Sequence, residues 1–447
     1  MSGSRSNNNK ELNIPGKAEN STSEEKIGTL MSLGIRNFRL LLAGTILSNA
    51  GQWIQQVTLS WLVYDLTGSG TILGTINLVR SAASLGMMPM AGLLIDRLQR
   101  RMLLMLENGF LFVITFALGL LLLLGYSHLS FLFVFAFMGG MVQTVNIALR
   151  QVLVFDMVPR SQTPNALALI QTGWSLMRSF GPMIGSFLIL WIGAGGNFIV
   201  QSCAYALIVV TIIQIHFPPI KSGIVNGSPL DNIKEGIRYV AKTRVTRTFT
   251  LMGFILPLFI IPIFTILPPI YAVEVFGDGS GRILGFLMAA VGVGGIIGGV
   301  VTASLGNLQR RGLLQLASLF MLSLTLIGFA FSKQLWLSLP LLALSGFFEI
   351  IFLTTNQTLL QLSIPDNLRG RVTSVVNMNA ALSPLGGMMA GAGSDLLGGP
   401  KMITIVLAGI AATIAVFVLL CSPTVRNYRL SQGMVSSYQG TPVDVSK

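Results

Sequence analysis

The phrase Gly68-Ser69-Gly70-Thr71-Ile72-Leu73-Gly74 occurs again, with one change, as Gly279-Ser280-Gly281-Arg282-Ile283-Leu284-Gly285. A second shared phrase follows each copy: Leu98-Gln99-Arg100-Arg101 with Leu103-Leu104, then Leu308-Gln309-Arg310-Arg311 with Leu313-Leu314. Further on, Gln151, Pro159, Gly181 and Gly185 are echoed by Gln357, Pro365, Gly387 and Gly391. The offset drifts only from 211 to 206 residues. Two related halves therefore stand in tandem.

Composition says what the halves are made of. Of 447 residues, 52% are hydrophobic and 10% charged, and mean hydropathy is +0.73. Apolar runs of about 18 or more residues, the length a membrane helix requires, recur from Phe38 to Leu420. Helices are expected at 38–64, 71–95, 102–124, 129–153, 165–191, 197–217, 247–272, 282–305, 312–332, 335–363, 372–395 and 400–421. The first run is too long for a signal-peptide core and reads as a retained helix. The expected fold class is an all-α membrane protein: 12 transmembrane helices in two six-helix bundles related by a parallel internal repeat. Such a direct repeat points to a transporter with its path between the halves. The divisions are a disordered tail at 1–34, a first bundle at 35–217, a linker at 218–246, a second bundle at 247–422 and a tail at 423–447.

The net charge of +13 does not mark a nucleic-acid binder, because it is spread over short loops and tails with no single basic face. Most of the 29 Lys and Arg residues lie on alternate connections, which places those loops and both termini in the cytoplasm of an inner-membrane protein. Cys203 and Cys421 sit in expected helices and imply no disulfide framework. His128 and His216 sit at helix ends, so neither a metal cluster nor a hydrolase-type catalytic set is expected, and no cofactor is implied. No Walker A phosphate loop occurs, so the chain encodes no ATP-driven pump. In the linker, Ile233, Ile237 and Val240 share one helical face, the pattern of an amphipathic helix at the membrane surface.

Three charges fall in the middle third of the expected helices: Arg80, Arg178 and Glu349. Each costs roughly 2.5–3.5 kcal/mol at the bilayer centre, so each should face a cavity or a partner. Their approximate counterparts in the other half, Val291, Pro384 and Gln143, are uncharged. A desolvated carboxylate beside a movable cation can exchange protons, which makes Glu349, with Arg80 and Arg178, the proton-coupling candidates; a permanent ion pair is the alternative. Asn49, Gln52, Gln56 and Ser60 recur every three or four residues and form one polar stripe on the first helix. Gln143, Asn146 and Arg150 share a face of the fourth helix, and Glu349 and Asn356 a face of the tenth. Pro257, Pro262, Pro268 and Pro269 predict kinks in the seventh helix.

The segment Gly92-Leu93-Leu94-Ile95-Asp96-Arg97-Leu98-Gln99-Arg100-Arg101 resembles the loop 2–3 signature of the major facilitator superfamily, with Gln99 where Gly is common. Gly51-Gln52-Trp53, Trp61-Leu62-Val63-Tyr64, Thr67-Gly68-Ser69, Arg80 and Arg178-Ser179-Phe180-Gly181-Pro182 resemble its multidrug and enterobactin-exporter branch. The resemblance implies secondary active transport by alternating access, commonly efflux against proton entry. It implies that helices 1, 4, 7 and 10 line the cavity, so Asn49, Gln52, Gln56, Gln143, Asn146 and Asn356 become substrate-cavity candidates. It implies that helices 2, 5, 8 and 11 meet between halves, with Gly181, Pro182 and Gly185 as the interdomain motif of helix 5. Gly92, Asp96, Arg97, Arg100 and Arg101 form a cytoplasmic gate, Asp96 latching the N-terminus of helix 11 with Arg371 or Arg150 as ionic partner. The expected partners are a small amphipathic molecule (a drug, siderophore or similar), protons and membrane lipid, and the expected state is a monomer. Uptake, lipid flipping without tight proton coupling, and a non-transporting receptor of the same fold remain alternatives.

Overall fold

The computed structural model describes residues 31–159, 162–215, 229–305, 309–364, 368, 372 and 379–426. Every long element is helical: α1 (Arg36–Thr67), α2 (Gly70–Arg97), α3 (Arg100–Leu123), α4 (Leu129–Met157), α5 (Thr163–Ile213) and α6 (Pro229–Lys242). These are followed by the α7 stretch (Arg244–Val275), α8 (Arg282–Ser304), α9 (Arg311–Phe331), α10 (Leu335–Leu362), α11 (Asn379–Leu396) and α12 (Pro400–Cys421). Nine stretches of the described residues are long and apolar enough to cross a membrane. One of them, Asn165–Ile213, contains 49 residues. At ~1.5 Å per residue that is about twice the ~30 Å hydrocarbon core.

The long α5 is a hairpin. Gly193 sits at φ 69°, ψ 175°, a conformation that only glycine adopts without strain, and it breaks the helix there. Before the break, Gly173 faces Ile46 and Gly181 faces Trp53, so the first arm runs parallel to α1. After it, Gly51 faces Tyr205 and Gly44 faces Ile208, so the second arm runs antiparallel. Asn197 closes the turn by donating to the Gly185 carbonyl at 3.0 Å and to Thr58 Oγ1 at 2.6 Å. The expected separate helices at 165–191 and 197–217 are the two arms.

In α7 the prolines remove backbone donors, and the helix is rebuilt around them. Two π-helical turns, Leu256–Ile260 and Tyr271–Val275, flank short α-helical pieces at Ile261–Thr265 and Leu267–Ile270. The amphipathic linker helix is present as α6; of the face expected at the membrane surface, the Ile233 side chain lies outside the described residues. Gly236 is buried and Tyr239 and Val240 pack on the core, while Ile237 is 47% exposed. On the packed face the Tyr239 hydroxyl donates to the Ser363 carbonyl at 3.4 Å.

Helices of one half pack mainly on one another, and the repeat is visible in how they cross. A Cβ on Gly140 of α4 would land on the Arg80 carbonyl of α2, and one on Gly346 of α10 would land on the Val291 carbonyl of α8. Small residues let these backbones touch where lipid offers no hydrophobic drive for association. Between halves, α2 meets α11 and the first arm of α5 meets α8. A Cβ on Gly70 would sit 2.6 Å from the Gly391 carbonyl, and one on Gly292 would sit 2.5 Å from the Ser179 carbonyl. Gly181 and Gly185, expected at the interdomain contact, instead abut Trp53 and Ile54 of α1 within the first half. Helix 5 does lie at the boundary, but its glycines point inward and Ser179 points across. Apolar side chains cover the outer surface, and Trp191 (77% exposed) and Trp336 (71%) lie at the end away from the basic loops, where amphipathic rings anchor helices.

Candidate functional site

Glu349 of α10 and Arg178 of α5 meet across the boundary between the halves, with Arg178 Nη2 donating to Glu349 Oε1 at 2.7 Å. Both lie near mid-helix, and their side chains are 4% and 17% exposed. Desolvating two charges there is costly, and the short charge-assisted bond offsets that only while the partners stay together. The Arg178 guanidinium also lies 6.0 Å from the Trp174 ring, whose edge contacts Trp53 at 6.1 Å. Trp53 lines a small cavity of about 30 Å³ with Gln56, Ser60, Pro182, Phe264 and Pro268. The Trp53 Nε1 donor is buried with no acceptor among the described residues. Gln56 also donates to Asn77 Oδ1 of α2 at 3.1 Å, one turn from Arg80.

The sequence candidates divide into groups. Asn49, Gln52, Gln56 and Gln143 are half-buried, and Gln56 and Pro182 line the cavity. Asn146 and Asn356 do not join them. Asn146 donates to Glu107 of α3 at 2.7 Å and accepts from Arg150 Nε at 3.0 Å. Asn356 accepts from Gln315 of α9 at 2.6 Å. Both amides lie on the expected helices, but each is used inside its own half, where a buried polar group requires a partner.

Three of the gate candidates also find partners inside the first half. Arg100 pairs with Asp156 at the end of α4. Arg101 donates to the Ile213 carbonyl at 3.0 Å and so caps the second arm of α5. Arg150, expected as a partner for Asp96, is buried and donates to Asn146 and, at 2.9 Å, to Thr45 Oγ1. Arg97 is exposed at the end of α2, and Gly92 faces open space. Arg371 and the Asp96 side chain lie outside the described residues.

A further set of groups closes the opposite end. Asp395 of α11 accepts from Ser69 Oγ (2.7 Å), Gly70 N (2.8 Å), Thr71 N (2.9 Å) and Thr71 Oγ1 (2.7 Å) at the start of α2. Tyr64 of α1 donates to Glu274 of α7 at 2.5 Å. The second copy of the repeated phrase is capped differently. Asp278, in its own loop, accepts from Ser280 N and Oγ (2.9 and 2.8 Å), Ile283 N (2.6 Å) and Leu284 N (3.3 Å). Desolvation pushes the Asp278 carboxyl up, but these bonds outweigh it and hold the group below the usual carboxylate range. Thr67 occupies the matching position of the first half, so α2 lacks a carboxylate of its own there and is capped from the other half. These groups escaped the sequence reading; the available signal was the missing acid at Thr67 before an otherwise repeated phrase.

Two repeated halves, a mid-depth ion pair between them and interdomain bonds at one end define a polytopic membrane transporter. The sequence profile described as transmembrane secretion effector matches residues 27–438, and the chain belongs to that family, within the efflux branch of the major facilitator superfamily. It is 25% identical to the staphyloferrin A transporter of Staphylococcus aureus over 78% of this chain and 87% of that protein. It is 25% identical to the multidrug efflux pump Tap of Mycolicibacterium fortuitum over 80% and 89%. The enterobactin exporter EntS of Escherichia coli O157:H7 is 24% identical over 82% and 86%. A bacterial homolog of the lysosomal transporter Spinster, solved inward-facing and unoccupied, shares the fold at TM-score 0.68 and 14% identity, covering 88% of this chain and 98% of that one. Family members are transporters, not enzymes.

Proposed function

We propose that the chain exports amphipathic small molecules across the cytoplasmic membrane by alternating access, driven by proton entry, with Glu349 and Arg178 as the coupling pair. The ion pair between halves at mid-depth carries this reading. Protonation of Glu349 removes its charge, leaves Arg178 without a partner and loosens the link between α5 and α10. Release of the proton on the other side restores the link. Each proton moving inward supplies ~2.3 kcal/mol per 100 mV of membrane potential. The names of the efflux relatives support the outward direction.

The accompanying architecture is twelve spans in two bundles, 35–217 and 247–422, with both termini cytoplasmic. The hairpin in α5 supplies one span beyond the nine. The polar stripe lowers the hydropathy of the 32-residue α1, and α11 is described only from Asn379. Asp96 and Arg371 form the cytoplasmic latch of this scheme, Arg97 flanks it, and Asn49, Gln52, Gln56 and Gln143 face the solute. The protein works as a monomer in lipid. The test is Glu349→Gln in liposomes with an imposed pH gradient. Gradient-driven flux should fall to background while solute exchange without a gradient persists. Unchanged gradient-driven flux removes Glu349 from coupling.

A further inference from the structure

We propose that Glu107 of α3 is a second proton-binding carboxylate, which takes up and releases a proton in each transport cycle beside the one carried by Glu349. This rests on the export reading above and adds to its coupling machinery. Glu107 and Arg150 are both buried in the core of the first half, and one amide stands between them. Asn146 Oδ1 accepts from Arg150 Nε at 3.0 Å, and Asn146 Nδ2 donates to Glu107 Oε1 at 2.7 Å. Asn108 donates to the same oxygen at 3.2 Å, and Arg150 Nη1 donates to Thr45 of α1 at 2.9 Å. Glu107 Oε2 and Arg150 Nη2 have no partner among the described residues. The carboxylate thus keeps one free oxygen, the atom that a proton takes, and its cation is held one residue away. A permanent ion pair would close the two free valences on each other. Here the carboxyl can lose and regain its charge without breaking the bonds that hold it.

A scaffold does not need these charges. The second half ties its matching helices, α9 and α10, with neutral amides, Gln315 Nε2 donating to Asn356 Oδ1 at 2.6 Å. Asn356 stands where the 206-residue offset places Arg150. Other unpartnered polar atoms lead outward from Glu107. Asn197, Gln201 and Tyr205 recur every four residues along one buried face of the second arm of α5. The charged and titratable groups facing Glu107 are Arg150 from α4 and Tyr205 from this arm. The Tyr205 hydroxyl donates to Gln55 Oε1 of α1 at 3.5 Å. One turn on, both amide atoms of Gln201 are unpartnered among the described residues, and a turn further Asn197 keeps a free Oδ1. By contrast α12, the last helix of the second half, buries a single polar side chain, Thr404, and it is bonded. Buried polar atoms of this kind are satisfied by internal water. A file of such water reaches Glu107 from the side of the Gly193 turn, the end away from the basic loops. Glu107 itself lies seven residues past Arg100, about 10 Å from the basic-loop end. The step balances: hydronium protonates Oε2 and leaves as water, and water on the cytoplasmic side later removes the proton as hydronium. Arg150 stays charged throughout, and its bond to Thr45 links the site to α1, which lines the cavity with Trp53, Gln56 and Ser60.

The test reads the proton first and the flux second, on the full chain. In lipid nanodiscs, infrared difference spectra on acidification should show the C=O stretch of newly protonated carboxyls. Glu107→Gln should remove one band and leave the band that Glu349→Gln removes, so each variant is the folding control for the other. Glutamine keeps the acceptor that Asn146 needs. The second readout uses liposomes with the cytoplasmic face inward and ethidium as a monovalent cationic probe. Two protons entering for one ethidium leaving carry net positive charge inward, so an inside-negative potential should speed ethidium exit although it opposes passive exit of the cation. With Glu107→Gln the exchange becomes one for one and electrically neutral. The response to potential should be lost and the response to a pH gradient should persist. A spectrum unchanged by Glu107→Gln, an undiminished response to potential, or loss of both responses together overturns the inference. Absence of gradient-driven ethidium flux in the unsubstituted protein would end the export reading, and the Glu107 band would still decide whether that residue binds a proton.

Discussion

Replacing Asp395 with alanine should open the end of the molecule away from the basic loops. The carboxylate accepts four bonds from Ser69, Gly70 and Thr71, so a single side chain fastens α11 of one half to α2 of the other. Losing an N-cap costs ~0.5–2 kcal/mol, and a hydrogen bond to a charged group contributes ~1.5–3 kcal/mol. Asp395 is exposed, so solvent screening reduces the sum, and about 2 kcal/mol is a fair net value. At 1.4 kcal/mol per factor of ten, the closed-to-open ratio should fall about 30-fold. The assay places a cysteine at Ser60, which lines the cavity on the same helix as Tyr64 and is 2% exposed. Its alkylation by a membrane-impermeant maleimide, applied separately to each face of sealed vesicles, reports the open population. In the Asp395→Ala background the rate from one face should rise by about tenfold or more. Asp278→Ala is the matched control: it removes four similar bonds within one loop and should cost ~1 kcal/mol of stability without changing the rate. An unchanged rate in Asp395→Ala, or an equal rise in Asp278→Ala, would refute the reasoning that the trans cap holds this end shut.

The remaining predictions concern packing and pH. Gly391→Val should push α11 from α2, because its Cβ meets the Gly70 carbonyl, and should raise Ser60→Cys alkylation as Asp395→Ala does. Gly181→Val should instead lower the melting temperature with no selective opening, since it strikes Trp53 inside one half. Asn356→Leu should cost ~1–3 kcal/mol by leaving the buried Gln315 amide unpaired, read as a melting shift in detergent. Because the folded Asp278 carboxyl titrates below its unfolded value of ~3.9, its stabilisation is present above that pH and is lost as pH falls through the folded value. The melting deficit of Asp278→Asn should therefore be constant from pH 5 to 8 (about neutral and mildly acid conditions) and shrink only in stronger acid.

Much of this protein is written along the chain. Membrane helices need a fixed length of apolar residues, so the runs from Phe38 to Leu420 locate the elements. Duplication leaves matching phrases, so the two halves were legible before any contact was known. A charge in hydrocarbon needs a reason to be there, so Arg80, Arg178 and Glu349 stood out. Partnership was not written there. Arg178 could meet Glu349, 171 residues away, only after α5 had packed against the other half. A membrane helix is apolar on nearly every side, so its sequence does not say which neighbour each face will meet. That is why Gly181 and Gly185 turned to α1, and why Arg100, Arg101 and Arg150 found partners within the first half. It is also why Asp395, one acid at a helix end, supplies the carboxylate that α2, whose own N-cap is Ser69, lacks. Local chemistry set the elements and their charges; the contacts that tie one half to the other depend on groups far apart in sequence, and only close packing in three dimensions brings them together.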